Sequence, residues 1–240
     1  MTDVYRALAD SLPITWHGRL DANVLVALAA LDDWVAWVPR AHALLDDNER
    51  ARVVRRRNPV HARELAFAYA MHRVVLAELL EVPLVQLRVE RDAKGCPRLP
   101  GDRVRTSLSH ADGVVAVAVA ASGAVGIDIE SRRRAGEMPE IAARVVHPRE
   151  APAILALAEG ARGIALLDLW VRKEAVLKAA GSGLERDMDT LWLPADGVVP
   201  LDPAGPLTRV QALPVGDAWV AAVSAPPDLP VDWAWLRPAG

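Results

Sequence analysis

The stretch VGIDIE, residues 125–130, decides how this sequence is interpreted. It follows the aliphatic run GVVAVAVA (113–120) and places two carboxylates, Asp128 and Glu130, two positions apart. Because side chains alternate between the faces of a β-strand, these two point the same way, roughly 7 Å apart. Two anions on one face repel each other, and burying them unpaired costs on the order of several kcal/mol. The pattern therefore predicts a positive charge between them.

Two explanations fit this acidic pair by itself. The pair is either a solvated strand end neutralised by Arg132–Arg134 or a binding site for a divalent cation. The aliphatic run before it favours the second explanation, because it predicts a central, buried strand. Carboxylate oxygens, water and phosphate suit Mg²⁺, with Mn²⁺ as an alternative ion.

A third carboxylate lies in the helical pattern LLDLWVRKEAVLKAAGSGL (166–184). Trp170, Glu174 and Lys178 follow one another at intervals of four residues, so they share one face of a helix. This stripe is also what an ordinary Glu–Lys pair looks like, a pair that stabilises a helix by about 0.3–0.5 kcal/mol. Both explanations stay open from spacing alone.

The segment SLSHADG (107–113) is predicted to be a polar turn before the aliphatic strand. Ser109 and His110 could bind an anion there through the hydroxyl, the imidazole and turn amides, although an ordinary turn has the same composition. The sequence contains no G-x-S-x-G elbow, no zinc-ligand spacing and no glycine-rich phosphate loop. These motif-defined classes of enzyme are therefore not indicated.

Composition limits the class of protein further. The chain has 240 residues, is 52% hydrophobic and carries a net charge of −3, which is typical of a compact protein and gives no electrostatic reason to expect nucleic-acid binding. One cysteine, Cys96, excludes an intrachain disulfide and favours a reducing compartment. Neither a signal peptide nor an apolar run of roughly 20 residues is recognisable, so we expect a cytoplasmic protein that does not enter a membrane. Only three of its 28 basic residues are lysines: Lys94, Lys173 and Lys178.

Local patterns predict an α+β chain of two similar-sized halves, 1–121 and 122–240. The runs GVVAVAVAA and AVGIDIE are expected to form an antiparallel hairpin around Ser122-Gly123. We expect helices at 23–38, from Asp46 to 57, and at 61–80, 138–158 and 162–180, the last stopping at Gly181-Ser182-Gly183. We expect strands at 14–20, 85–89, 191–193, 207–213, 218–224 and 232–237.

Taken in order, these motifs resemble the 4′-phosphopantetheinyl transferase superfamily, specifically its larger single-chain, surfactin-synthetase-activating type. GIDIE (126–130) and WVRKEAVLK (170–178) are similar to that family's G-[IV]-D-x-E and [WF]-x-x-K-E-[AS]-x-x-K signatures. The upstream Ser-His pair, the segment IAARVVHPRE (141–150) and the downstream GSGL (181–184) fit as well. The resemblance covers roughly residues 45–195.

The resemblance implies both a fold and a reaction. It implies a pseudo-twofold monomer of two similar α+β halves, with the active site in the cleft between them. Coenzyme A would bind there, and a serine hydroxyl of an apo acyl- or peptidyl-carrier protein would attack its β-phosphate. The serine would receive phosphopantetheine, and adenosine 3′,5′-bisphosphate would leave. Fatty-acid, polyketide and nonribosomal-peptide systems all present such a serine.

The resemblance also assigns roles to individual residues. As metal ligands it implies Asp128, Glu130 and Glu174, and as catalytic residues Asp128, Lys178 and Glu174, the last as a base or as the group that positions one. As contacts to coenzyme A it implies Arg52, Arg63, Ser109, His110 and Lys178. Lys94 is a further candidate for this set, as a substitute for a basic residue that the family carries one position beyond the glycine of its G-K-P loop.

Two functions of other classes remain. The chain could be a carrier-protein-binding module with an impaired coenzyme A site, because its loop reads Gly95-Cys96-Pro97 where the family carries a basic residue in the middle. It could also be another Mg²⁺-dependent phosphotransferase or nucleotide hydrolase. Retention of all three acids favours the transferase over the binding module.

The loop sequence leads to a first prediction. We expect Cys96→Lys to lower the KM for coenzyme A, because the resemblance implies that a basic residue at this position touches the nucleotide. Steady-state kinetics with coenzyme A as the varied substrate measures the change. An unchanged KM would remove the idea that Cys96 weakens nucleotide binding.

Overall fold

The computed structural model describes residues 3–101, 104–181 and 186–238. The chain divides into two compact units. Unit 1 consists of Met1–Glu90, Pro97–Ser122 and Pro230–Gly240, and unit 2 of Arg91–Cys96 and Gly123–Leu229. Both units combine helices with a sheet, which confirms the predicted α+β class.

Helices and strands are interspersed along the described part of the chain. The helices are α1 (Asp3–Asp10), α2 (Asp47–Val54), α3 (Pro59–Leu79), α4 (Met138–Val145), α5 (Ala151–Leu155) and α6 (Glu159–Ala180). The strands are β1 (Val24–Ala30), β2 (Glu90–Arg91), β3 (Pro97–Arg98), β4 (Arg105–Ala111), β5 (Val114–Ala120), β6 (Gly126–Ser131), β7 (Val198–Pro200), β8 (Leu207–Leu213), β9 (Trp219–Ala225) and β10 (Val231–Trp235).

Unit 1 contains a four-stranded sheet in the order β10-β1-β5-β4. β5 pairs antiparallel with both neighbours, and every residue of its VVAVAVA sequence is buried. It forms a hairpin with β4 around Asp112 and Gly113, which have φ values of 42° and 80° and so suit a tight two-residue turn. The predicted hairpin between GVVAVAVAA and AVGIDIE is therefore wrong, because the two runs pair with different strands.

Several local predictions in the apolar segments are also wrong. Residues 23–38 were expected to be helical, but their first half is β1, whose VLVALAA run is buried along almost its whole length. A continuous apolar run has no period that separates a buried strand from a helix. The predicted strand at 14–20 contains a 3₁₀ turn at Ile14–Trp16 instead, and 85–89 and 191–193 are irregular.

The change from one unit to the other lies close to the boundary predicted after residue 121. The C-terminal residues, however, belong to the same unit as the N-terminal ones. The change from unit 1 to unit 2 falls at Ser122/Gly123, whereas the residues after Leu229, expected in the second half, join unit 1. They do so because β10 pairs in parallel with β1, Val26 lying opposite Trp233. The pseudo-twofold relation of the halves and the cleft between them stay predictions.

Unit 2 contains an antiparallel sheet in the order β6-β9-β8-β7. The prediction that the GIDIE strand is central is wrong, since β6 is an outer strand of this sheet. It is nevertheless buried, because α6 packs against both β6 and β9. Among the described residues, none of the helices combines the length and apolar composition needed to cross a membrane.

The start of α2 and the middle of α3 are joined in unit 1 by a buried ion cluster. Asp46 caps α2 by accepting a hydrogen bond from the Glu49 backbone, and the Glu49 side chain reaches back to the Asp46 amide, which confirms the predicted helix start. Arg73 of α3 is only 4% exposed, and its guanidinium lies 3.2 Å from Asp46 Oδ2 and 3.6 Å from Glu49 Oε2. It also donates to the carbonyls of Leu84 and Leu87.

This cluster gives a stability prediction. We expect Arg73→Met to lower the free energy of unfolding by about 3–5 kcal/mol, because it leaves the buried Glu49 carboxylate without its cation. As a control, Arg50→Met removes an exposed pair with Asp47 and should cost no more than about 1 kcal/mol. Urea denaturation measures both. Equal effects would contradict a structural role for the buried cluster.

Candidate active site

The site begins with a close approach between β6 and α6. A Cβ atom added at Gly126 would lie 2.0 Å from the carbonyl oxygen of Ala175 and 2.5 Å from the amide nitrogen of Ala179. Both distances are far below a van der Waals contact, and neither backbone atom can turn aside. The glycine of GIDIE therefore lets the strand lie directly on the helix.

The same face of β6 carries the predicted acids. Because Gly126 faces α6, Asp128 and Glu130 face it too, by the alternation of a strand. Asp128 is 5% exposed, and Lys178 Nζ donates to its Oδ1 at 2.7 Å. Glu130 accepts a hydrogen bond from Arg134, which forms an ion pair with it. The positive charge expected beside the acidic pair is thus supplied by two side chains.

Glu174 belongs to the same electrostatic environment. Burial and the charge of Asp128 together raise its pKa to about 7, while Lys178 acts in the opposite direction. Burial also raises the pKa of Glu130, against the influence of Arg134. Since the charges of Asp128 and Glu130 both act on Glu174, we call these three residues the acidic cluster.

The acidic cluster suits a metal ion through the chemical nature of its donor atoms. Its three carboxylates are the hard oxygen donors that Mg²⁺ and Mn²⁺ prefer. Within the described part of the chain, no three His, Cys, Asp or Glu side chains are arranged so as to chelate one ion. Instead, Lys178 and Arg134 hold Asp128 and Glu130 in this conformation. The three predicted metal ligands therefore stay a prediction.

Trp170 and Arg134 form a contact that the sequence did not predict. The guanidinium carbon of Arg134 lies 4.8 Å from the centre of the Trp170 ring, a cation–π distance. Trp170 therefore binds a charged group that also holds Glu130. Arg134 was expected, together with Arg132 and Arg133, as a possible partner of the acidic pair, but three consecutive arginines give no signal that singles out one of them for Trp170.

Lys173, the first lysine of WVRKEAVLK, is buried and holds α6 against its neighbours. Its side chain is fully buried, and burial lowers its pKa while Glu150 opposes that shift. The ammonium group donates to Val145 O at 2.6 Å, Glu150 Oε2 at 2.7 Å and Met188 O at 3.0 Å. Glu150 also accepts from the amides of His147 and Leu193, so the pair ties α6 to two neighbouring segments.

The Ser-His pair lies on a strand of unit 1, not in a turn as predicted. Ser109 and His110 are consecutive residues of β4, so their side chains point to opposite faces of the sheet. Ser109 is buried and His110 is half-buried. Only one of the two side chains can therefore lie on any given face of β4.

An arginine-lined pocket of about 300 Å³ lies on unit 1. Its lining residues are Arg52, Arg55, Arg56, Leu65 and Tyr69. Arg52 was predicted to contact the nucleotide, whereas Arg55 and Arg56 were not. Arg63, the other predicted contact, is exposed near the start of α3 and is not among the lining residues. Several guanidinium groups at one pocket are suited to a phosphate.

The remaining predicted positions lie in loops. Lys94 is exposed, and its amide and that of Cys96 both donate to Asp92 Oδ1. A contact of Lys94 with a nucleotide stays a prediction. Gly181 ends α6 with a left-handed φ of 64°, as expected for a helix stop, whereas Ser182–Leu184 of the GSGL motif lie outside the described residues.

Comparison with known proteins shows what the part of the chain that carries this site is similar to. Residues 124–221 match the family model of the 4′-phosphopantetheinyl transferase superfamily. The matched residues lie in unit 2, which is therefore similar to that superfamily over most of its length. The matched range includes β6, α6 and all three residues of the acidic cluster.

Individual relatives agree with the family match. The chain is 29% identical over 191 residues to the 4′-phosphopantetheinyl transferase HetI of Nostoc sp., a match that covers 76% of this chain and 78% of HetI. It is 28% identical over 151 residues to the putative transferase slr0495 of Synechocystis sp., covering 61% of each protein. It is 28% identical over 122 residues to the transferase gsp of Aneurinibacillus migulanus, covering 50% of this chain and 49% of gsp. The predicted superfamily resemblance and enzyme class, phosphopantetheinyl transferase, are confirmed.

A solved structure is also similar. The crystal structure of Thermotoga maritima holo-[acyl-carrier-protein] synthase matches with a TM-score of 0.30 and 20% sequence identity. The match covers 45% of this chain and 64% of that chain.

The contact between β6 and α6 gives a prediction for the site. We expect Gly126→Ala to destabilise the protein by about 1–3 kcal/mol or more, because the new Cβ must push the strand away from the Ala175 carbonyl. Gly136→Ala, where an added Cβ meets nothing within 4 Å, is the matched control and should be close to neutral. Urea denaturation compares the two variants. An unaffected Gly126→Ala protein would show that the strand and the helix do not need this approach.

Proposed function

We propose that this protein transfers the 4′-phosphopantetheine group from coenzyme A to a serine hydroxyl of an apo acyl- or peptidyl-carrier protein. The reaction releases adenosine 3′,5′-bisphosphate and depends on Mg²⁺. The observation that carries the proposal is the acidic cluster with Lys178, which β6 and α6 bring together inside the matched superfamily domain.

Displacement at a pyrophosphate needs charge neutralisation and alignment more than covalent help from the protein. We assign Asp128, Glu130 and Glu174 as the residues that hold Mg²⁺. The ion, when bound, would supply positive charge beside the pyrophosphate oxygens. Lys178 would bring its ammonium group to the phosphates from the position in which it now holds Asp128.

Glu174 is also the proposed base. A carboxyl group whose pKa lies at about 7 can take up and release a proton near neutral pH. Its position on α6, one turn before Lys178, places it beside the residue that would contact the phosphates. We therefore assign Glu174 to accept the proton of the carrier serine, or to position the group that does.

The nucleotide of coenzyme A is assigned to unit 1. The pocket lined by Arg52, Arg55 and Arg56 offers three guanidinium groups to the 3′-phosphate. Arg63, Ser109 and His110 stay proposed contacts to the same molecule, as does Lys94. Tyr69 and Leu65 give the pocket an apolar wall suited to a base or ribose.

The carrier protein would meet a basic surface of unit 2. Arg132, Arg144 and Arg149 are exposed, and the guanidinium of Arg149 lies 4.8 Å from the ring centre of the exposed Trp192. Such groups complement an acidic helical domain, the form in which carrier proteins present their serine. The cytoplasmic location and the monomeric state stay predictions.

The proposed function is tested with purified protein, coenzyme A, Mg²⁺ and a panel of apo carrier proteins. Intact mass spectrometry should show a carrier serine gaining one phosphopantetheine group. Asp128→Asn and Glu174→Gln should lower the transfer rate by about 100-fold or more. Asp168→Asn, which alters a half-exposed acid paired with Arg172 on the same helix, is the control and should leave the rate nearly unchanged.

Other outcomes separate the alternatives. Release of phosphate or nucleotide without a carrier protein would indicate another phosphotransferase or a nucleotide hydrolase. Carrier binding without any mass gain would indicate a binding module. Substantial transfer by Asp128→Asn at saturating Mg²⁺ would contradict the assignment of Asp128 as a metal ligand.

A further inference from the structure

We propose that Arg134 is an internal competitor of the divalent cation at the acidic cluster. Its guanidinium holds Glu130 and would leave that carboxylate when the ion binds, so Arg134 lowers the affinity of the cluster for metal. The inference rests on the metal site of the proposed function and adds a residue outside both sequence motifs.

The first observation is the ion pair itself. Arg134 Nη1 donates to Glu130 Oε1. The side chains are 31% and 20% exposed, so the pair is shielded from solvent more than an ordinary surface salt bridge. A metal ion bound by Glu130 would need the carboxylate that this guanidinium holds.

The second observation is the place of the guanidinium on Trp170. Arg134 lies over the indole ring, and Trp170 is one helical turn before Glu174 on α6. The guanidinium is therefore held between a residue of the strand and a residue of the helix. Because the indole attracts the guanidinium independently of Glu130, Arg134 keeps a favourable contact after the ion pair opens.

The third observation is that the backbone carrying Arg134 is fixed. A Cβ added at Gly163 of α6 would lie 2.4 Å from the Ala135 carbonyl oxygen, so the 3₁₀ turn Arg132–Gly136 lies directly on the helix. Ser131 also accepts a hydrogen bond from the Arg133 amide at the start of this turn. Arg134 is thus directed to the cluster by local packing, unlike its exposed neighbour Arg132.

Charge balance gives the direction of the effect. The acidic cluster contains three carboxylates, and Lys178 and Arg134 form ion pairs with two of them, Asp128 and Glu130. A guanidinium has only N–H donors and cannot ligate a metal, so it competes with a cation without contributing a ligand. Replacing Arg134 by a neutral side chain removes both the ion pair and the repulsion of the incoming ion.

The experiment measures metal binding directly. Isothermal titration of the whole protein with MgCl₂ gives the dissociation constant for wild type, Arg134→Met, Arg134→Lys and Arg132→Met. We expect Arg134→Met to bind Mg²⁺ about five- to tenfold more tightly. Arg134→Lys should fall between it and wild type, because lysine keeps the charge but loses the planar contact with carboxylate and indole. Arg132→Met removes the same net charge from an exposed position of the same turn and should match wild type.

Each result has one meaning. Unchanged or weaker Mg²⁺ binding by Arg134→Met overturns the proposal, as does equal tightening by Arg132→Met, which would indicate a net-charge effect. Absence of Mg²⁺ binding in every protein overturns it together with the metal site. If Mg²⁺ binds as expected while wild type transfers no phosphopantetheine, the role of Arg134 stands and the proposed function fails.

Discussion

The structure of the candidate site depends on the contact between the backbones of β6 and α6 at Gly126. At this point the strand lies so close to the helix that no Cβ fits between them. Each residue further along β6 is then placed opposite a definite part of α6, Asp128 beside Lys178 and Glu130 within reach of a guanidinium that rests on Trp170. Packing of uncharged backbone thus assembles a group of carboxylates that would otherwise move apart.

A second face of α6 is held by the buried ion pair between Lys173 and Glu150. Lys173 and Glu174 are consecutive, yet Lys173 binds Glu150 and two carbonyls, while Glu174 joins the acidic cluster. Rotation or sliding of α6 that brought Glu174 out of the cluster would break the contacts of Lys173. The two neighbouring motif residues therefore have different roles: Lys173 fixes the position of the helix, and Glu174 faces the site.

The sequence predicted the helices whose apolar residues repeat at helical spacing or whose ends carry capping residues. α2, α3 and α6 were found because their charges, caps and apolar stripes repeat at helical spacing, and the acidic cluster was found from two spaced motifs.

β1 was mistaken for a helix because a strand buried on both faces has no alternation. The dipeptide Asp112-Gly113 is a strong hairpin signal, yet the turn was predicted at Ser122-Gly123. The parallel pairing of β10 with β1 joins distant residues and leaves no local trace.

The choice of basic residue at the site follows from donor geometry. The chain carries 28 basic residues, of which only Lys94, Lys173 and Lys178 are lysines, and two of these three lie on α6. Lys173 reaches three oxygens that surround a single point, which an ammonium group with three donors can satisfy and a planar guanidinium cannot. Arg134 has a different requirement, because its cation contacts the Trp170 ring and donates to Glu130 at the same time, which suits a planar, delocalised guanidinium better than an ammonium group. In a chain that otherwise uses arginine, lysine at 173 therefore reflects the shape of its binding position, and the same reasoning explains why arginine stands at 134.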